Sequence, residues 1–299
     1  MAHRHRDLLG MMTEAVTKFG GFPSGREDVS VRQMHTQEMQ ALYNALYYND
    51  PDLFLAVIQN MTDANVYEME DDDFRYLLAL FDKVSYTDDT RTITWRCLAP
   101  RWVKGTLGQA GYDYTDRDPQ DPHYHKSTCG SLVTNEVRFR VKTVGKRHNL
   151  PHGIRHPLVK TYPESVRLIE DGVDRNLVEI ARWVDTDLPL ITTLREMTLS
   201  EIAEVRRAMY SCIEVQKTLQ CNFCSNNPTI SEPLSFTSYL RIFSEISMMN
   251  MEFNLNVHFG AVIPNSIPLK KLLYMHGCYV QDKREADKKR RERQAKGAK

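Results

Sequence analysis

Leu219-Gln-Cys-Asn-Phe-Cys-Ser-Asn-Asn-Pro228 carries two cysteines two residues apart, and the reading of that pair decides what kind of unit surrounds it. Two thiolates at this spacing point into one tight turn and supply half of a tetrahedral zinc site. The rival use of C-x-x-C is a redox centre, which opens a helix after a strand. Here Ser225, Asn226, Asn227 and Pro228 follow, and they break a helix rather than begin one. Zinc is therefore favoured over redox chemistry, and a pair of ordinary unliganded thiols stays open.

A structural zinc needs two more ligands. Cys129 precedes Gly130, the small residue a knuckle turn wants, and Cys97 ends the alternating stretch Arg91–Cys97. Residues Thr134–Val144 alternate as well, through Val137, Phe139 and Val141, so the two stretches are expected to pair as strands. Residues 98–128 between them are rich in Gly, Pro, Asp and Tyr and read as a surface insertion. If that insertion leaves and returns at one place, Cys97 and Cys129 stand at the two ends of its stem. The expected ligand set is then Cys97, Cys129, Cys221 and Cys224, with zinc as the cofactor. His123 and His125 are rival ligands, through the spacing His-x-His-x-x-x-Cys129. Cys212, on an apolar helical face, reads as core, and Cys278 as an ordinary buried thiol.

Outward from the cysteines the pattern is helical. Thr36 is placed to cap a helix with Met39, Leu42, Tyr43, Leu46 and Tyr47 on its inner face. Asp50 before Pro51 is a cap followed by a first-turn proline, and Leu53, Phe54, Val57 and Ile58 form one face behind it. The acids Glu70–Asp73 precede Phe74, Leu77, Leu78 and Phe81, where negative charge favours the positive end of a helix dipole; a metal site is the minor alternative. From Pro163 the pattern is helical through Trp183. Thr198 and Glu201 make a capping box, opening a helix expected to face inward through Leu199, Ile202, Val205, Met209 and Ile213 and to run into Cys221. Short strands are expected at Val29–Met34 and Pro233–Phe236, and a last helical region over 240–251 and 269–279. The loop histidines His148, His152 and His156 read as exposed.

The expected fold class is therefore α+β, mostly helical, with small antiparallel β-hairpins forming zinc-ribbon-like knuckles. The expected organisation is an N-terminal arm (1–30), a helical unit with a strand hairpin and the insertion (31–145), a second helical unit with the C-x-x-C knuckle (146–281) and a basic tail (282–299).

Composition narrows the function. The chain has 299 residues, 41% hydrophobic and 26% charged, which supports a sizeable core. Lys plus Arg and Asp plus Glu both total 39, so a nucleic-acid-coating protein, which carries a basic excess, is disfavoured. No apolar run approaches the ~18–20 residues of a membrane span, and no secretory signal is visible, so a soluble, cytoplasmic protein is expected. Six cysteines are too sparse for a disulfide-stapled secreted module. Walker, HExxH, GxSxG, Rossmann and zinc-deaminase signatures are absent, so no enzyme activity is expected. The glycines Gly105, Gly108 and Gly111 lie in the insertion without a strand–helix context.

The order Phe22-Pro-Ser-Gly, strand, capped helix, Asp72-Asp-Phe-Arg-Tyr-Leu-Leu, Val84-Ser-Tyr and a strand into Cys97 resembles the baseplate hub assembly protein family of T-even-like contractile-tailed bacteriophages. The later order fits too: a capping-box helix after Met197, Leu219-Gln-Cys-Asn-Phe-Cys, then Leu234-Ser-Phe and Phe243. The first cysteine pair is compact in that family, whereas residues 98–128 intervene here. The resemblance implies a non-enzymatic protein that binds other baseplate, hub and tail proteins, acting in the host cytoplasm during assembly; retention in the virion and self-association stay open. A zinc-ribbon nucleic-acid-binding protein using the basic tail is the alternative.

Overall fold

Asp50 shows how local chemistry sets the helices. Its Oδ1 accepts the Leu53 N–H at 2.9 Å, Pro51 fills the first turn, and the helix runs Pro51–Gln59 (α2). Nine residues are too few for a helix to persist alone in water; burial of Phe54, Leu55, Val57 and Ile58 holds it. Such side chains each contribute roughly 1.5–3 kcal/mol on leaving water. The preceding helix, α1 (Thr36–Tyr47), is capped one residue earlier than expected, because the His35 N–H donates to Glu38 Oε2 at 2.8 Å. Its core stripe is Met39, Leu42 and Ala45. That three-residue step rotates Tyr43 and Tyr47 to the flank, so Tyr47, expected inside, is 69% exposed and stacks on Tyr43. Leu46 and Leu53, also expected inside, each remain 37% exposed.

The computed structural model describes residues 16–26, 28–86, 90–97, 100–104, 124–138, 140–143, 149–211, 213–224, 229–231, 236–242, 245–259 and 267–297. The readings at Gly105, Gly108, Gly111, His123, His148, Cys212 and Pro233–Ser235 lie outside those residues. The chain forms two compact units, each drawn from separated stretches: Met1–Asp88, Thr143–Ile213 and Leu234–Lys299, and Asp89–Lys142 with Glu214–Pro233. The structure is mostly helical with small antiparallel hairpins, an α+β fold. No described helix is long and apolar enough to cross a membrane.

In the larger unit, β1 (Thr17–Phe19) pairs antiparallel with β2 (Val29–Val31), shorter than the strand expected to Met34. The organising element is α3 (Asp71–Ser85), whose Phe74, Leu77, Leu78 and Phe81 are fully buried. The acids at its start do more than favour a dipole, because Asp71, Asp72 and Asp73 are themselves buried and each holds a distant segment. Asp73 accepts the Ser24 N–H at 2.9 Å, Asp72 accepts from Arg75 and from the Ser211 hydroxyl at 2.8 Å each, and Asp71 pairs with Arg182 at 2.7 Å. Farther along, Asp82 takes the Arg241 backbone N–H at 2.9 Å and its guanidinium at 3.1 Å, which also lies 3.8 Å from the Tyr86 ring centre. Ser85 Oγ accepts the Met34 N–H at 3.0 Å.

The helical pattern from Pro163 is two helices, α4 (Tyr162–Glu170) and α5 (Arg175–Arg182), parted at Gly172 with φ +87° and restarted by the Asp174 cap. After α6 (Leu190–Glu196) comes α7 (Leu199–Ala208), with the capping box intact: the Thr198 N–H donates to Glu201 at 2.7 Å and Thr198 Oγ1 accepts the Glu201 N–H at 3.3 Å. Val205 packs with Ile154, Ile180 and Trp183. Leu199, expected inside, is 86% exposed, because the box places it in the first turn, ahead of the core contact. His156, expected in solvent, is buried between Trp183 and Tyr210, with Nε2 3.2 Å from the Tyr210 hydroxyl; His152 is exposed as expected. Two more helices close this unit: α8 (Glu245–Phe259) and α9 (Leu269–Gly297), which carries the basic tail as helix. Phe236, expected in a strand, opens a short 3-10 turn instead.

Candidate metal centre

The smaller unit is built from two hairpins that meet at sulfur. β3 (Thr90–Arg96) pairs antiparallel with β6 (Leu132–Arg138), as the alternating stretches implied, though the strand expected to run from Thr134 to Val144 ends at Arg138 and residues 140–143 belong to another sheet; β4 (Pro100–Lys104) pairs with β5 (Tyr124–Thr128). Arg96 faces Leu132 and Pro100 faces Thr128, so three residues on each side separate two ladders of one register. The insertion is thus the outer part of a long hairpin, and Cys97 and Cys129 sit at the joint. The Cys97 N–H donates to the Ser131 carbonyl at 2.9 Å, and the Gly130 N–H donates to the Cys97 carbonyl at 2.8 Å. Gly130 has φ +66°, a conformation glycine adopts without the Cβ penalty, which turns the chain so that both thiols leave on one side.

The second pair comes from the other hairpin. α7 ends at Ala208 rather than reaching Cys221, and β8 (Ile213–Thr218) intervenes because its β-branched run suits an extended chain. β8 lies between β7 (Arg140–Thr143) and β9 (Thr229–Ser231). Thr218 faces Thr229 across the antiparallel pair, so Cys221 and Cys224 lie in the connecting loop, with a turn over residues 222–224.

The four sulfurs converge. Cys97 Sγ is 3.6 Å from Cys224 Sγ, Cys129 Sγ is 3.7 Å from Cys221 Sγ, and all four lie within 4.8 Å of one another. Disulfide sulfurs stand about 2.0 Å apart, so these are separate thiols. Four sulfurs about 2.3 Å from one central ion stand about 3.8 Å from each other, close to the two direct separations. Cys97, Cys129 and Cys221 are buried with Val133, and Trp95 and Cys224 pack against them. Among the described residues this is the only group of three or more Cys, His, Asp or Glu side chains close enough to share an ion. The acids at the start of α3 do not form one, and the side chain of His125, whose backbone in β5 partners Val103, lies outside the described residues. Cys278 is half-buried in α9 and is not one of the group.

The Ser131 hydroxyl lies 3.3 Å from Cys129 Sγ and is the main cause of a thiol pKa brought down to about 6; burial opposes it, and the Ser131 N–H, Cys224 and Cys221 add to the lowering. A thiolate is the form that binds metal.

Sequence reading did not single out Asn135. Its Oδ1 accepts from Trp95 Nε1 at 2.6 Å and from the Gln220 N–H at 3.4 Å, while Nδ2 donates to the Gln220 carbonyl at 2.9 Å. One amide thus pins the residue before Cys221 to the hairpin that carries Cys97 and Cys129. In the alternation of β6, Val133 and Asn135 share the inward face while Leu132, Thr134 and Glu136 are exposed, which is the only sequence signal for its role. Gln220 is exposed, so water can take the freed backbone groups, and replacing Asn135 with Ala is expected to cost about 1 kcal/mol and to weaken metal affinity about 10–100-fold, as loss of partners around a site does. Competition with a chelator of known affinity reads that change.

Comparison with protein-family models, curated proteins and solved structures finds no match to the chain.

Proposed function

We propose that Cys97, Cys129, Cys221 and Cys224 hold one structural zinc ion, and that the stapled hairpins form a zinc-ribbon-like unit serving as a rigid protein-binding element. The convergence of four sulfurs from chain segments 92 residues apart carries this reading. An all-sulfur, closed set suits zinc and leaves no open position for a substrate, the mark of a structural rather than a catalytic site. The role is non-enzymatic: the ion fixes two loops whose backbone alone would not hold them, and their surface is then presented without the entropy cost of ordering it on binding.

The partners we propose are baseplate, hub and other tail proteins of a contractile-tailed bacteriophage, met in the host cytoplasm during assembly. Support comes from the ordered resemblance of residues 20–280, from the cysteine units above all. The balanced charge favours protein partners over nucleic acid. Deleting the gene from a phage that carries it should leave heads intact and baseplates incomplete, and the purified protein should retain hub components, less so with Cys221→Ser. Normal infectious tails from the deletion phage, or tight DNA binding with a steep salt slope and no tail protein retained, would overturn the assignment.

A further inference from the structure

A groove of about 380 Å³ in the larger unit is lined by an apolar floor, including Ile154, Met197 and Val205, and a rim of Glu196, Glu201 and Glu204. No Lys or Arg lines it. The guanidinium of Arg155, next to the lining residue Ile154 in the chain, is engaged by Asp185 at 3.3 Å, by Asp187 at 3.8 Å and by the Thr186 carbonyl at 2.5 Å. Glu201 is committed to the Thr198 cap, while Glu196 and Glu204 are exposed. An apolar floor beneath carboxylates matches one side chain closely. Arginine has an apolar stem that packs on hydrocarbon and a planar head that takes carboxylates in pairs.

The chain itself carries such side chains on an exposed helix end. α9 packs on α8 as far as Tyr279, whose hydroxyl meets Asn254 at 3.4 Å, and Asp282, 3.5 Å from His258 Nε2. Every side chain from Lys283 to Glu292 is exposed. Lys288-Lys-Arg-Arg291 lies within that stretch, and successive helical residues spread about 100° apart, so the positive charge surrounds the helix. The chain is neutral as a whole, so this basic end is matched by an acidic excess in the remainder.

We propose that the basic end of α9 in one copy docks in the glutamate-rimmed groove of a second copy, with Arg290 or Arg291 as the side chain that enters. The contact joins two different surfaces, so it closes as a two-fold pair where each helix end enters the other copy's groove and otherwise extends into rings or chains. It does not depend on the metal centre, whose ligands lie in the other unit.

Sedimentation velocity of the full chain over a range of concentrations, at 50 mM and 500 mM salt, tests the proposal. The wild type should associate at low salt and return to 34.7 kDa at high salt. Glu196→Lys with Glu204→Lys, or Arg290→Glu with Arg291→Glu, should each weaken association at least tenfold; all four side chains are exposed, so folding is spared. Mixing the two variants should restore association, because the intact helix end of the groove variant meets the intact groove of the helix variant and the reversed groove meets the reversed helix. A wild type that stays monomeric at every concentration, association that survives either reversal, or a mixture that stays monomeric would overturn it.

Discussion

Cys221→Ser is expected to abolish metal binding and unfold the smaller unit while leaving the larger one intact. The buried cluster at the centre of that unit is Cys97, Cys129, Cys221 and Val133, so three of its four side chains are thiols. A unit this small needs a staple to offset the chain entropy of two hairpins. Structural zinc supplies roughly 10–16 kcal/mol of binding free energy in isolated fingers, and that energy is folding energy. Serine removes one of four thiolates and forfeits much of it. Amide exchange should lose protection along β3 and β6 and keep it along α2 and α3, whose packing uses Phe54, Phe74, Leu77 and Phe81. Unchanged protection in β3 and β6 of the metal-free variant would show that the hairpins stand without the ion.

The second large effect belongs to the larger unit. Arg182 exposes 2% of its side chain and Asp71 6%, and they meet at 2.7 Å. Burial works against the charge on Arg182, but Asp71 and Glu179 outweigh it and hold its pKa above the ordinary value. Burial likewise pushes the Asp71 carboxyl up, against the pull of Arg182 and Arg75. Arginine does not lose its proton in proteins, so the buried guanidinium depends on the Asp71 carboxyl beside it. Arg182→Met should therefore cost about 3–5 kcal/mol by stranding a buried carboxylate, a fall in Tm of roughly 10 °C. Adding Asp71→Leu to Arg182→Met should recover part of that loss, since an apolar pair needs no compensation. Thermal melts of the two singles and the double form the cycle; additive costs, or a single-variant loss below about 1 kcal/mol, would show that the pair carries no such load.

The same two places show what could be read from the sequence. The four-cysteine cluster was legible because each cysteine carried a local signature: the two-residue spacing at 221 and 224, the glycine after 129, the alternating run into 97. The pairing of β3 with β6 followed from their period of two, and the caps at Asp50 and Thr198 from the chemistry of helix starts. What stayed hidden depended on partners far along the chain. Asp71 looked like an ordinary first-turn acid because Arg182 lies 111 residues away. His156 sat in a stretch with the composition of an exposed loop, and only the aromatic rings of Trp183 and Tyr210 bury it. Asn135 read as one more polar position in a strand, and its task appears only when Gln220 is brought beside it. β8 was missed because the helical period of α7 ran on into it without a glycine or proline to mark the break.

Metal analysis of the intact protein tests the central claim most directly. Native mass spectrometry of protein purified without chelator should show one zinc per chain, retained by the wild type and absent from Cys97→Ser and Cys221→Ser. Replacing zinc with cobalt(II) should give the absorption of a tetrahedral, all-thiolate site. A wild type that carries no zinc when supplied with it, or that binds it equally well without Cys97 or Cys221, would contradict the account.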